Sequence, residues 1–423
     1  MIIKNKKQLD VFLKILDEDY IIRLQSSSKK TADMKKKLND VKSSITNAFC
    51  FLRSFIFVQM NNKDITYFQP FCNEEYTNIF DLNKTFKSTT SINEYYTNKR
   101  RQLSCKYEHV LQDKKQWWMN GSMICNVKQT NTWNTSRFWI YYKFLKQEIV
   151  PHIKGTVSFI LNPRDHPLVK LDKNEFPYDN VIVEENKTYV APTIDVFSHY
   201  VNKEYFADKG FPTIKDIQYM YYKQDLSKQV VTTPLRFEDK ISKVVFRGSA
   251  TGCGVAEQNQ RIILCLLATR YPNMLDCKLT SLNMRDRICP KEKKMTHLLP
   301  VPSLDISKRN YMSDTQQQTY KYQIIVDGWC AADRLGPKLN SGCLLFIVES
   351  APFQKTRPWF YTELTANIHY VSINKDLSNL LEMIEYFNEH IEEAKKIIEN
   401  AKQLHEKILS KSGIVQHVLK NII

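Results

Sequence analysis

Apolar residues recur at helical spacing over residues 138–149, and a short apolar run, 155–161, follows. This pattern predicts a helix feeding a buried strand. The strand runs into a polar turn, Asn162-Pro163-Arg164-Asp165-His166-Pro167. Beyond residue 240 the same alternation repeats. A strand is predicted at 243–246, a glycine-bearing loop at 247–254, a helix at 255–270, a strand at 322–326, a helix near 334–340 and a strand at 343–348. Repeated strand-loop-helix units of this kind predict an α/β fold, with a parallel sheet covered on both faces. Near the end, Ile391, Ala394, Ile398, Ala401, Leu404 and Ile408 are spaced three or four apart, so 377–409 is expected to form one amphipathic helix or two in succession.

The first 115 residues are patterned differently. Lysine-rich stretches such as Lys35-Lys36-Lys37 alternate with the aromatic runs 49–52 and 55–58, and we expect helices there, with an irregular polar segment near 83–104. Proline and aromatic residues without long periodic runs mark 175–240 as a connecting region. The division that follows is a basic N-terminal region over 1–115, an α/β domain over 116–235, a second over 236–380, and a helical segment over 381–423.

Charge narrows the partners without bearing on the fold. The 61 basic residues exceed the 45 acidic ones by 16, which favours phosphate-bearing ligands and other polyanions. The basic clusters are not interleaved with a nucleic-acid reading motif, so they read as solvated faces and nucleic acid is set aside as a partner. The first 23 residues mix Lys4, Lys6, Lys7, Asp10 and Lys14 into their apolar positions, so they resemble no secretory signal. No apolar run reaches the roughly 20 residues a spanning helix needs. A soluble protein of the cytoplasm, or of a virion, is expected. The 10 cysteines form no C-x-x-C pair and no zinc spacing, which predicts reduced thiols and no metal. Abundant Lys and Asn with only 10 Gly suit an AT-rich genome such as that of a large virus or parasite.

Three loops hold the candidate chemistry. In 246–254, Gly248 and Gly252 would let a backbone approach a diphosphate, with Ser249 beside them and Arg247 as a bidentate phosphate partner. The same residues also suit a structural turn, since neither a P-loop nor a dinucleotide fingerprint is present. The loop 327–334 presents Arg334 after a strand, either as a second phosphate contact or as a surface charge. In the first α/β domain Asp165 could serve as general base on an acceptor hydroxyl, with His166 as the other proton-transfer candidate, or Asp165 could simply cap a turn.

Taken in order, the 162–167 turn, Phe246-Arg247-Gly248-Ser249, the segment 325–339 and the blocks from Trp359-Phe360-Tyr361 through His369-Tyr370-Val371 to Asp376-Leu377-Ser378 resemble glycosyltransferase family 90. That family holds protein O-glucosyltransferases, capsule-associated proteins and lipopolysaccharide-modifying enzymes. The resemblance implies a GT-B arrangement, two Rossmann-like domains facing across a cleft. It also implies a UDP-sugar donor, glucose or xylose, an inverting transfer without metal or other cofactor, and a protein or glycan acceptor. By position Asp165 is similar to the catalytic base, and Arg247, Ser249 and Arg334 to diphosphate contacts. His166 stands where the family has an aromatic, and 335–338 departs from its helix start. An inactive relative with a structural or binding role, for example in a virus particle, is the alternative.

Overall fold

The computed structural model describes residues 3, 5–25, 31–51, 54–72, 135–163, 167, 194–204, 206–226, 235–252, 258–282, 287–289, 294–296, 304–328, 330–350 and 356–423. These fall into two compact units. One comprises described residues up to 217 together with 418–423, the other those of 218–417. The division comes upstream of the boundary expected near 235.

In the first unit, helices α1 (Lys6–Gln25) and α2 (Thr31–Phe51) precede the strands β1 (Ser54–Met60) and β2 (Ile65–Cys72). The aromatic run 55–58, expected as helix, is therefore strand. Its residues bury both faces: Phe55 and Phe57 pack with Phe12, Phe71 and Ile160, while the alternate residues Ile56 and Val58 are equally buried. A strand covered on two sides shows no period of two, so its sequence reads as a plain apolar run. Asn61 makes the hairpin, its side-chain oxygen accepting the backbone N–H of Lys63 at 2.9 Å and of Asp64 at 3.0 Å.

Helix α3 (Thr135–Phe144) continues through a widened turn, Leu145–Ile149, and ends where Pro151 can donate no helical bond. Strand β3 (Val157–Asn162) follows and pairs antiparallel with β1. Two short strands, β4 (Val196–Ser198) and β5 (Lys209–Gly210), then add in parallel, giving the order β2-β1-β3-β4-β5. The N-terminal strands thus share one sheet with β3 rather than standing apart. Helix α4 (Ile214–Leu226) closes this part of the chain.

The second unit is built on five parallel strands: β6 (Ile241–Ala250), β7 (Leu275–Leu282), β8 (Tyr320–Ile325), β9 (Leu344–Val348) and β10 (Val371–Ile373), in the order β10-β9-β8-β6-β7. Helix α5 (Gln260–Arg270) joins β6 to β7. The arrangement is Rossmann-like. Its apolar core takes Val244 and Phe246 from β6, Tyr322 and Ile324 from β8, and Leu344 and Phe346 from β9. Helices α6 (Leu380–Glu389) and α7 (Ile391–Ile408) add Ile384, Phe387, Ala394 and Ile397 to that core, so they are part of the unit and not a separate segment. The last helix, α8, is Lys411–Ile422. Among the described residues no helix is long and apolar enough to cross a membrane.

Candidate functional site

The sequence placed Arg247, Gly248 and Ser249 in a loop, but all three lie within β6. The ladder to β7 continues through Gly248↔Leu279, Ser249↔Ser281 and Ala250↔Leu282. Glycine and serine imitate a turn in sequence, and the partner strand 32 residues downstream of Ser249 decides otherwise. The helix expected from residue 255 is described from Gln260, after an extended Asn259 whose side-chain oxygen accepts the N–H groups of Arg261 and Ile262.

Arg247 is turned into the protein. Its guanidinium donates to the Asp276 carboxylate at 2.7 Å and to the carbonyls of Asp276 and Phe246 at 2.5 and 2.9 Å, and the residue is only 7% exposed. Asp276 also accepts the Tyr320 hydroxyl at 2.5 Å. Burial works against the charge on Asp276, yet the Tyr320 bond and Arg247 outweigh it and hold the carboxyl below its usual range. A phosphate reaching Arg247 would have to displace this pair.

Two cations near the carboxyl ends of the strands are Arg334 and Arg261. Arg334 donates to the Arg247 carbonyl at 2.6 Å, and its guanidinium lies 5.4 Å from the centre of the Phe246 ring. Arg261 lies 5.7 Å from the same ring. It donates to the Val326, Ser249 and Asp327 carbonyls at 2.8, 2.9 and 3.0 Å and to the Thr251 hydroxyl at 2.6 Å. These bonds go to neutral oxygens, and the Asp327 and Asp333 carboxylates offset its charge only in part. Burial, followed by repulsion from Arg334, pushes the Arg261 pKa down to about 9, and burial lowers that of Arg334.

Glycines make this crowding possible. A Cβ on Gly248 would stand 3.1 Å from the Arg334 guanidinium, and one on Gly328 would meet the Thr251 hydroxyl at 2.7 Å and Arg261 at 3.0 Å. Gly252 has φ +108°, in the region that favours glycine. Ser249 is half-buried and shares a hydrogen bond with Ser281 at 2.7 Å.

The helix start ties these strand ends together. Asn259 donates to the Thr251 carbonyl at 3.1 Å, Gln260 to those of Glu349 and Lys375 at 2.7 and 2.8 Å, and Arg261 to that of Ser249 near the end of β6 and that of Asp327 beyond β8. Beside them Asp327 is half-buried, accepting from Ser350 and from the Ala332 N–H at 3.0 Å, with Arg357 at 3.9 Å. Burial raises its pKa against the lowering pull of Ser350 and Arg357.

Sequence reasoning missed Arg261, Asp276 and Asp327. Arg261 did carry a signal: a cation in the first turn of a helix opposes the helix dipole, so another structure must hold it there. Arg164, Asp165 and His166 lie outside the described residues. Asn162, fully buried at the end of β3, and the flanking Pro163 and Pro167 are described, Pro167 as buried. Of the acidic triplet at 17–19, Asp17 pairs with Lys42 at 2.6 Å and Asp19 accepts the Tyr67 hydroxyl. Among the described residues no cluster of His, Cys, Asp and Glu could hold a metal ion.

Comparison with known proteins supplies the context for this rim. The family model for glycosyl transferase family 90 matches residues 70–422. The chain is 29% identical over 357 residues to an uncharacterized protein, 035R, of Invertebrate iridescent virus 3, an alignment covering 80% of this chain and 30% of that protein. A second, 179R of Invertebrate iridescent virus 6, is 25% identical over 89% of this chain and 36% of its own length. Protein O-glucosyltransferase 3 of Rattus norvegicus is 29% identical over 60% of this chain and 45% of its own length. The chain therefore spans between about a third and a half of the length of these relatives.

Proposed function

The chain belongs to glycosyl transferase family 90, and we propose that it moves a sugar, glucose or xylose, from a UDP-sugar to a hydroxyl of a protein or glycan, with inversion. In this reading the two units are the halves of a GT-B arrangement, and the second binds the donor. The observation that carries it is the pair Arg261 and Arg334, whose guanidinium groups donate to neutral oxygens near the carboxyl ends of parallel strands, where α/β sheets bind ligands. Desolvation works against both guanidinium charges and Arg334 further lowers the Arg261 pKa, so the pair gains from a nearby anion, and a diphosphate supplies one.

Arg334, Gly248, Ser249 and Gly252 form the diphosphate surface, while Arg247 acts from below by fixing β6 to β7 through Asp276. Asp165 takes the proton of the acceptor hydroxyl, with His166 beside it in sequence. The freed oxygen attacks the anomeric carbon, the bond from that carbon to the diphosphate oxygen breaks, and its electron pair leaves with UDP. Negative charge growing on the leaving group meets positive charge already in place, so little reorganisation is needed at the moment of transfer. The O-glucosyltransferase named among the relatives supports glucose as the first sugar to try.

Calorimetry with UDP, UDP-glucose and UDP-xylose tests the donor site. Arg334→Gln should weaken binding about 10- to 100-fold, the worth of a charge-assisted hydrogen bond. Asp165→Asn should abolish transfer and leave UDP affinity unchanged. If the wild type binds none of the three, the donor reading fails and a structural role in a particle takes its place.

A further inference from the structure

The first unit contains a polar chain that the donor site does not use. Asn162 ends β3, Ser198 ends β4, and Asp208 immediately precedes β5, so the three stand at neighbouring positions across parallel strands. Their exposures are 0, 1 and 3%. The Ser198 hydroxyl donates to Asp208 Oδ1 at 2.6 Å and accepts from Asn162 Nδ2 at 2.9 Å.

The order of donors follows from the chemistry. The Ser198 hydroxyl has a single hydrogen, which it gives to Asp208, and it turns a lone pair to Asn162. The Asn162 amide must then face Ser198 with its nitrogen, which fixes the orientation of the whole group. The backbone is held at the same place: Asn162 and Ser198 are register partners, and the Phe211 N–H donates to the Ser198 carbonyl at 2.8 Å. Apolar side chains would fill this space at lower desolvation cost. What the polar chain adds is a single permitted orientation at the last residue of β3, three residues before Asp165 in the sequence.

We propose that Asp208 is a positioning residue: acting through Ser198, it locks Asn162, the last residue of β3, three residues before Asp165, the proposed base. This inference rests on the reading of Asp165 given above. Neither Asp208 nor Ser198 touches the substrate in it.

The test compares the wild type with Ser198→Ala, Ser198→Thr and Asp208→Asn, using amide exchange of peptides covering 158–170 and 241–250 together with donor turnover. Ser198→Ala should speed exchange at 158–170 about tenfold, the effect of one lost buried hydrogen bond, and leave 241–250 unchanged. It should lower kcat about 10- to 100-fold at unchanged KM for the donor, since the base and not the donor site is misplaced. Ser198→Thr, which keeps the hydroxyl, should restore both. Asp208→Asn keeps the shape and an acceptor oxygen and should fall between, which preserves the test if Ser198→Ala does not fold. Unchanged exchange at 158–170 in Ser198→Ala and Asp208→Asn overturns the proposal, as does a kcat loss that Thr fails to restore. If the wild type turns over no donor, the exchange measurement still decides whether the chain fixes this strand end, and it is the activity reading that falls.

Discussion

The two sheets finish their parallel strands in opposite ways. In the first unit a buried carboxylate, Asp208, anchors the strand ends through a serine and an asparagine. In the second, the buried guanidinium of Arg261 gathers strand-end carbonyls and Arg334 holds the Arg247 carbonyl, the bonds of both going to neutral oxygens. Carbonyl oxygens at the ends of parallel strands repel a phosphate. Arg261 cancels that repulsion by donating to them and leaves a surplus of positive charge, whereas the first unit gains none. Similar positions in a sheet can thus be made ready for an anion or for a proton acceptor, depending on which sign of charge is buried there.

The largest effect should come from removing the close, buried ion pair between Arg247 and Asp276 in the second unit. Asp276→Ala leaves Arg247 buried without its partner, with an expected loss of about 3–5 kcal/mol in urea unfolding. Because the Asp276 carboxyl is held below its usual range, its contribution is complete above the unfolded carboxylate pKa of about 4 and fades as pH falls through the folded value. The stability gap between wild type and Asp276→Asn should accordingly be flat near neutrality and close in acid. A gap that widened in acid would contradict the pairing.

A smaller change sharpens the contrast in crowding. Gly328→Ala forces a methyl group against Thr251 and Arg261, and should cost about 1–3 kcal/mol and blunt UDP affinity. In the first unit Gly155→Ala meets nothing within 4 Å. There the change should stabilise by about 0.4–1 kcal/mol through the unfolded chain, read as a rise in Tm. Equal effects at the two glycines would remove the distinction.

How much was visible beforehand follows the same division. Strands β8 and β9 were legible because each is a short apolar run between polar loops. Strand β1 was not, since burial on both faces erased its alternation. The end of β6 was misread because Gly248 and Ser249 have turn chemistry and only pairing with β7 makes them strand. The partners of Arg247 and Arg261 lie 29 and up to 66 residues away, at separations where local pattern has nothing to say.

The start of α5 has a thermodynamic consequence. Three consecutive side chains, Asn259, Gln260 and Arg261, hold carbonyls that follow or end β6, β8, β9 and β10. None of those strand ends can fray without breaking bonds to the same helical turn, so small local openings are suppressed in favour of one larger, shared event. The rim behaves as a single cooperative block, present whole or lost whole, and a ligand bound to any part of it would stabilise all four strand ends at once.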